Sequence, residues 1–242
     1  MPEAEGGGPT FPKHDYDEYP KTLAPDDFWG QVRRTVNGAP IDDEQISLIV
    51  AAVRRGLQFD KNDGLLDIAC GNGALSREFF DDIASFYGVD SSEYLIQVAN
   101  RNFARLPNFT FERMYVRELL DNTVRNVRIT KALCYGSYSY FNNNDAKQLV
   151  CELPLKFPKL KKLYIGNIPD IDRAHNFFRI DKVDENMLHE NKSQIGIWRS
   201  QIEMERLAES AGWSCEVVLM PSSFYASHYR FDAILSRPKP LS

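Results

Sequence analysis

One stretch restricts the architecture more than any other. Leu65–Cys70 is a short apolar run that ends in Gly71-Asn72-Gly73, and Ala74–Asp82 continues with helical period through Leu75, Phe79 and Phe80. A second run, Ser85–Val89, closes on Asp90. Apolar runs this short, bounded by turn residues, read as fully covered strands. A strand that turns through glycines into a helix, and meets another buried strand at once, is a parallel α/β unit. The glycines let the backbone turn tightly and come close to a ligand. The helix that follows aims its free N–H groups at an anion there.

The alternation continues along the chain. Ser91 or Ser92 caps a helix to about Arg105, with Leu95, Val98, Ala99 and Phe103 on one face. Phe109–Met114, Arg128–Tyr135 and Lys162–Asn167 are further strands, with a helix at Asp145–Leu153 before the last of these. Ser200–Ala211 is helical, and Cys215–Met220 and Tyr229–Ser236 are the final strands. Upstream, Ile46, Ile49, Val50, Val53 and Leu57 form one helical face behind an Asp42 N-cap, and Asp26–Arg34 is a short helix. The expected organisation is a Gly/Pro-rich disordered tail over 1–14, an N-terminal cap over 15–41 and one α/β domain over 42–242. Residues 168–199 exceed what a crossover needs and read as a lid insertion.

Charge and cysteine usage remove several classes. Lys and Arg total 29 against 34 Asp and Glu, a net charge of −5, which argues against a nucleic-acid partner that must neutralise phosphates. Neither a basic, apolar leader nor a run of about 18 apolar residues is seen, so the expectation is a cytoplasmic protein with no membrane partner. Cys70, Cys134, Cys151 and Cys215 form no C-x-x-C pair and read as reduced thiols, with no metal site. Asp170-Ile171-Asp172 reads as loop solvation or capping, since two carboxylates alone make a poor cation site.

The glycine turn calls for a nucleoside cofactor. A dinucleotide fingerprint would place Gly or Ala where Ser76 stands, and G-x-x-x-x-G-K-[ST] does not occur. A nicotinamide-dependent oxidoreductase and a non-catalytic cofactor-binding protein stay open as rival readings. Asp67-Ile68-Ala69-Cys70-Gly71-Asn72-Gly73 matches D/E-x-[G/A]-x-G-x-G in full, with Asp90 at the end of the second strand. In this the chain resembles the class I S-adenosylmethionine-dependent methyltransferases, from about residue 42 to 237. The resemblance implies a Rossmann-like sheet of seven mainly parallel strands with an antiparallel last strand, and helices on both faces. It implies S-adenosylmethionine as cofactor, with S-adenosylhomocysteine as product. By that resemblance Asp67, Ala69, Gly71 and Gly73 would line its methionine end and Asp90 would hold its ribose, with Cys70, Ser91, Tyr115 and Tyr135 as further candidates for cofactor contact. Where many members carry an Asp after the third strand, this chain reads Met114-Tyr115. After the fourth it has Cys134-Tyr135-Gly136-Ser137-Tyr138 in place of [N/D]-P-P-[Y/F], which lowers amino methylation of DNA bases or protein glutamine.

The acceptor is expected beyond strands four to six. The aromatic loops there suit a small molecule, and the chain looks closest to bacterial small-molecule and sugar methyltransferases. The expected acceptor is therefore a hydroxyl of a sugar or a polysaccharide or natural-product precursor. N- or carboxyl-methylation of another metabolite is the alternative. A hydroxyl needs a base, and histidine titrates near neutral pH. His175 is the first candidate and His228 the second, with Asp170 orienting His175 and Tyr138 contacting the acceptor.

Overall fold

A computed structural model of the chain describes residues 16–36, 38–121, 128–178 and 185–237. The tail expected over 1–14 lies outside them. Seven strands form one sheet: β1 (Gly64–Ile68), β2 (Ser85–Asp90), β3 (Phe109–Arg113), β4 (Lys131–Tyr135), β5 (Lys162–Pro169), β6 (Ser214–Val218) and β7 (Arg230–Ser236). Their order is β3-β2-β1-β4-β5-β7-β6. The first five run parallel, and β7 is antiparallel to both β5 and β6. The order reverses between β1 and β4, which opens a crevice beyond their carboxyl ends.

Both faces are covered. Alternation along β1 sends Leu65 to one side and Leu66 and Ile68 to the other, and all three are fully buried. On the Leu65 side lie α1 (Asp43–Leu57) and α2 (Glu93–Phe103), through Ile49, Val53, Leu57, Ile96 and Ala99. On the Leu66 side lie α3 (Asn143–Lys156) and α4 (Gln201–Ser210), through Leu149, Val150, Met204 and Ala208. The caps agree with the reading of the sequence. Asp42 accepts the Gln45 N–H at 2.9 Å, and Ser92 accepts that of Leu95 at 3.2 Å. Among the described residues no helix is long and apolar enough to cross a membrane, and all four cysteines are free.

Two local differences from the expected elements have physical causes. Ala74–Asp82 is not an α-helix: a turn leads into a 3-10 helix at Ser76–Asp82. Asn72 Oδ1 takes the Ala74 N–H at 3.2 Å, and Ser76 Oγ donates to Asp67 at 2.5 Å. Such side-chain bonds offer the chain an alternative to the first helical turn. A short helix at Val116–Asp121 was not anticipated; Glu118 reaches back to accept the Tyr115 N–H at 2.8 Å, half of a capping box without its Ser or Thr. The segment expected as a lid is described except for residues 179–184. β5 runs on to Pro169, a 3-10 helix follows at Ile171–Asn176, and Ala174, Ile197 and Trp198 are buried.

Gly73 has a φ of +78°, and a Cβ there would lie 2.7 Å from the Phe111 ring. Its glycine character thus serves packing between the turn and β3, not approach to a ligand. Gly73→Ala combines left-handed backbone strain with overpacking and should cost about 3 kcal/mol. A lowered urea midpoint at unchanged m-value is the expected result.

Candidate active site

The crevice is floored by the ends of β1, β2 and β4. Gly71 turns at φ +58°, and a Cβ there would come within 2.8 Å of Val32 Cγ1. Its N–H donates to Asp90 Oδ2 at 2.8 Å, while Asp90 Oδ1 accepts from Ser92 N at 2.9 Å. Each Asp90 oxygen keeps a lone pair for a further donor. Ala69, between the two acids, is itself left-handed at φ +58°, a strained backbone of the kind found at functional sites.

Asp67 lines the same crevice but is nearly inaccessible, at 3% exposure. Burial raises its pKa to about 7, against a lowering from the Ser76 hydroxyl and from Arg34. Burial likewise raises Asp90, opposed by its backbone donors. A buried carboxylate that holds a hydroxyl and, among the described residues, takes part in no salt bridge fits an ammonium group. An acid with free lone pairs beside a tight turn fits a vicinal diol. The residues present therefore fit the two ends of S-adenosylmethionine: Asp67 would hold the amino group and Asp90 the ribose.

The N-terminal segment forms the roof. Asn72 Nδ2 donates to Phe28 O at 2.8 Å and to Gln31 Oε1 at 3.0 Å, tying a short helix (Phe28–Gln31) over the glycine turn. Ser92 Oγ bonds Asp17 Oδ1 at 2.7 Å, fixing the chain before that helix to the start of α2. Tyr16, Trp29, Val32 and Arg34 thereby face the floor.

The cleft has two further branches. One, past Asp90 and Ser91, is lined by Met114, Tyr115 and Phe141. Tyr115 is half exposed there, and its hydroxyl accepts from Arg113 Nη2 at 3.2 Å. The other runs toward β5 and β7 and is lined by Arg33, Arg34, Asn167, Tyr225 and Arg230. It meets the carboxylate-lined cleft at Tyr16, Val32, Arg34, Gly136 and Tyr140.

The structure thus brings Asp67, Ala69, Cys70, Gly71, Asp90, Ser91 and Tyr135 to one cleft, and Tyr115 to its side branch. It separates the other expected site residues from it. Gly73 packs under the turn. Tyr138 is buried, and its hydroxyl donates to the Ala146 carbonyl at 3.2 Å, so it contacts no acceptor. Asp170 is fully buried and accepts from Gln201 Nε2 at 2.6 Å and from Asp172 N at 3.2 Å, which makes it a local cap, not a partner for His175. His175 and His228 are exposed and line none of the branches; His228 rests its ring against Tyr229, centroids 4.8 Å apart. Sequence reasoning missed Arg34, Arg230 and Asp232. Asp232 is buried within β7, accepts the Asn167 N–H at 2.6 Å and the Tyr164 hydroxyl at 2.5 Å, and is raised by burial to about 6. Among the described residues no group of three or more His, Cys, Asp or Glu side chains is placed to hold a metal.

Strand order, glycine turn and second-strand acid together are those of a Rossmann-like methyltransferase fold. Residues 65–154 match the family model described as a methyltransferase domain, so this stretch carries a methyltransferase domain, which supports an enzyme. No curated protein matches the chain significantly. Among solved structures it is similar to magnesium protoporphyrin IX methyltransferase from Synechocystis PCC 6803 with bound S-adenosylhomocysteine. There the identity is 15% and the TM-score 0.53, covering 81% of this chain and 83% of that one. It is also similar to an S-adenosylmethionine-dependent methyltransferase from Clostridium acetobutylicum, at 12% identity and TM-score 0.60, covering 86% and 97%. At such identities the likeness speaks for the fold.

Asp67 supplies a pH test. Its folded pKa of about 7 lies above the ordinary carboxylate value, so the folded chain keeps a proton that the unfolded chain releases. This group's contribution to the stability of the free protein is therefore full below about pH 4 and is lost as pH rises through 7. An ammonium prefers the ionised form, so affinity for S-adenosylhomocysteine should rise about tenfold from pH 6 to 8. Calorimetry on wild type and Asp67→Asn checks this; the rise should be absent in the variant.

Proposed function

We propose that the protein transfers the methyl group of S-adenosylmethionine to a small acceptor bound in the branch between the N-terminal segment, β5 and β7. The observation that carries this is the continuity of the two branches. The carboxylate-lined one fits the cofactor, and it opens at Arg34, Gly136 and Tyr140 onto one lined by arginines and tyrosines. When bound, the cofactor supplies a methyl already activated on a sulfonium, with a neutral leaving group. What remains for the chain is to align the acceptor and to exclude water. The roof of Tyr16, Trp29 and Val32 serves the second task.

The residues of the acceptor branch favour a nucleophile that needs no base. Both expected bases, His175 and His228, stand outside it. Tyr140 and Tyr225 are pushed above the usual phenol range by burial, so at neutral pH they donate hydrogen bonds and take up no proton. An amine or a carboxylate is supported better by these groups than the sugar hydroxyl expected from the sequence.

Calorimetry with S-adenosylmethionine, S-adenosylhomocysteine and NAD tests the cofactor assignment. Both adenosyl compounds should bind and NAD should not; the reverse would overturn the reading. Asp90→Ala should weaken S-adenosylhomocysteine by about tenfold or more, since the ribose loses a charged acceptor. His175→Ala and His228→Ala should each leave methyl transfer within a few-fold of wild type, read as labelled methyl incorporated. A loss of about 100-fold in either would restore a histidine base and a hydroxyl acceptor.

A further inference from the structure

The acceptor branch carries more positive charge than the fold uses. Arg33, Arg34 and Arg230 converge on it. Arg33 Nε, Arg34 Nη1 and Arg230 Nε are buried with no hydrogen-bond partner, and none of the three side chains takes part in a salt bridge among the described residues. The carboxylates that share their surroundings are engaged elsewhere: Asp67 with Ser76, Asp232 with Tyr164 and the Asn167 N–H. A buried guanidinium N–H left unpaired is costly, and folds retain such groups where something else satisfies them.

The guanidinium planes are held by aromatic rings. Arg33 stacks on Tyr19 at 3.6 Å, Arg34 lies between Trp29 at 5.6 Å and Tyr135 at 5.0 Å, and Arg230 is 4.9 Å from Tyr229. Stacking occupies the faces and leaves the N–H edges for a ligand, a geometry suited to two-pronged recognition of an oxyanion. The backbone contributes as well. The β5–β7 register slips between Ile165 and Ile168, and Asn167 sits in that bulge at φ +64°. Its carbonyl accepts from Arg230 Nη1 at 2.5 Å, which anchors one edge of that guanidinium while Nε stays unpaired. Arg33 is also left-handed, at φ +51°. Two non-glycine residues with left-handed backbone line this one branch, as is found where a site positions a ligand.

We propose that Arg33, Arg34 and Arg230 form an oxyanion subsite, and that the methyl acceptor is an anionic small molecule anchored by a carboxylate or phosphate group. The proposal rests on the reading of this branch as the acceptor side and adds the charge of the acceptor to it. Although the whole chain is acidic, with a net charge of −5, this wall would draw in an anion and disfavour a neutral sugar.

The test uses the full chain saturated with S-adenosylhomocysteine. Inorganic phosphate and acetate are titrated separately against potassium chloride at matched ionic strength, read by the thermal midpoint and, for phosphate, by phosphorus NMR line width. Saturable binding of one or both anions beyond the chloride response is expected. Phosphate alone assigns a phosphorylated acceptor, and acetate alone a carboxylate. Arg230→Gln and, separately, Arg33→Gln should weaken the anion by about tenfold or more, Arg230→Lys by less, with S-adenosylhomocysteine affinity retained in each. That retained affinity certifies a folded variant. Anion responses no larger than chloride, or equal in wild type and both glutamine variants while S-adenosylhomocysteine still binds, would overturn the subsite. Failure of the wild-type chain to bind S-adenosylhomocysteine would overturn the cofactor reading instead.

Discussion

The hydrogen bond from the Gly71 N–H to Asp90, 2.8 Å long, is the contact on which the site depends. It joins the end of β1 to the end of β2 and makes one acid part of the glycine turn. With that turn fixed, Asn72 points upward and holds the Phe28 carbonyl and Gln31, which lays the N-terminal segment across the cleft. Floor and roof are thus set by two adjacent residues of one turn. The second Asp90 oxygen, on the Ser92 N–H, ties the start of α2 into the same arrangement. A charged acceptor bonded to backbone donors is among the stronger local interactions a protein can make.

Electrostatically the cleft is divided. Asp67 and Asp90 lie at one end, both raised by burial, and among the described residues neither takes part in a salt bridge. The arginines lie at the other, stacked on rings and short of acceptors. Were the two groups adjacent they would neutralise one another as buried ion pairs, and little chemistry would be left for ligands. The Tyr135 ring and Gly136 stand between them, with Arg34 at the junction. Such a division suits a pair of ligands that present a positive end to the acids and a negative end to the arginines.

Much of this was legible in the residues. The short apolar runs at Leu65, Ser85 and Lys162, bounded by turn residues, and the 3.6-period face from Ile46 to Leu57 are local signals of strand and helix. The Asp42 and Ser92 caps are local hydrogen bonds, so neighbouring sequence suffices to predict them. The Ala74–Asp82 helix was misread because its apolar spacing was right while Asn72 and Ser76 drew the first turn into other bonds. The histidines were favoured for their titration range and for the loops they occupy, and neither property says which way a side chain faces. Asp170 resembled a loop carboxylate and proved to be a buried cap, because its partner Gln201 is 31 residues away in sequence.

The sequence alone indicated the parallel sheet, the glycine turn and the carboxylates beside it, because each is carried by a short contiguous stretch. Only the tertiary structure brought the arginine-lined branch together. Arg33 and Arg34 come from the N-terminal segment, Asn167 from a bulge in β5 and Arg230 from the first residue of β7. Nothing in the neighbourhood of an isolated arginine distinguishes a solvated charge from a buried, ring-stacked donor. That difference arises when β7 inserts antiparallel between β5 and β6 and the Asn72 clamp brings the N-terminal segment down opposite it.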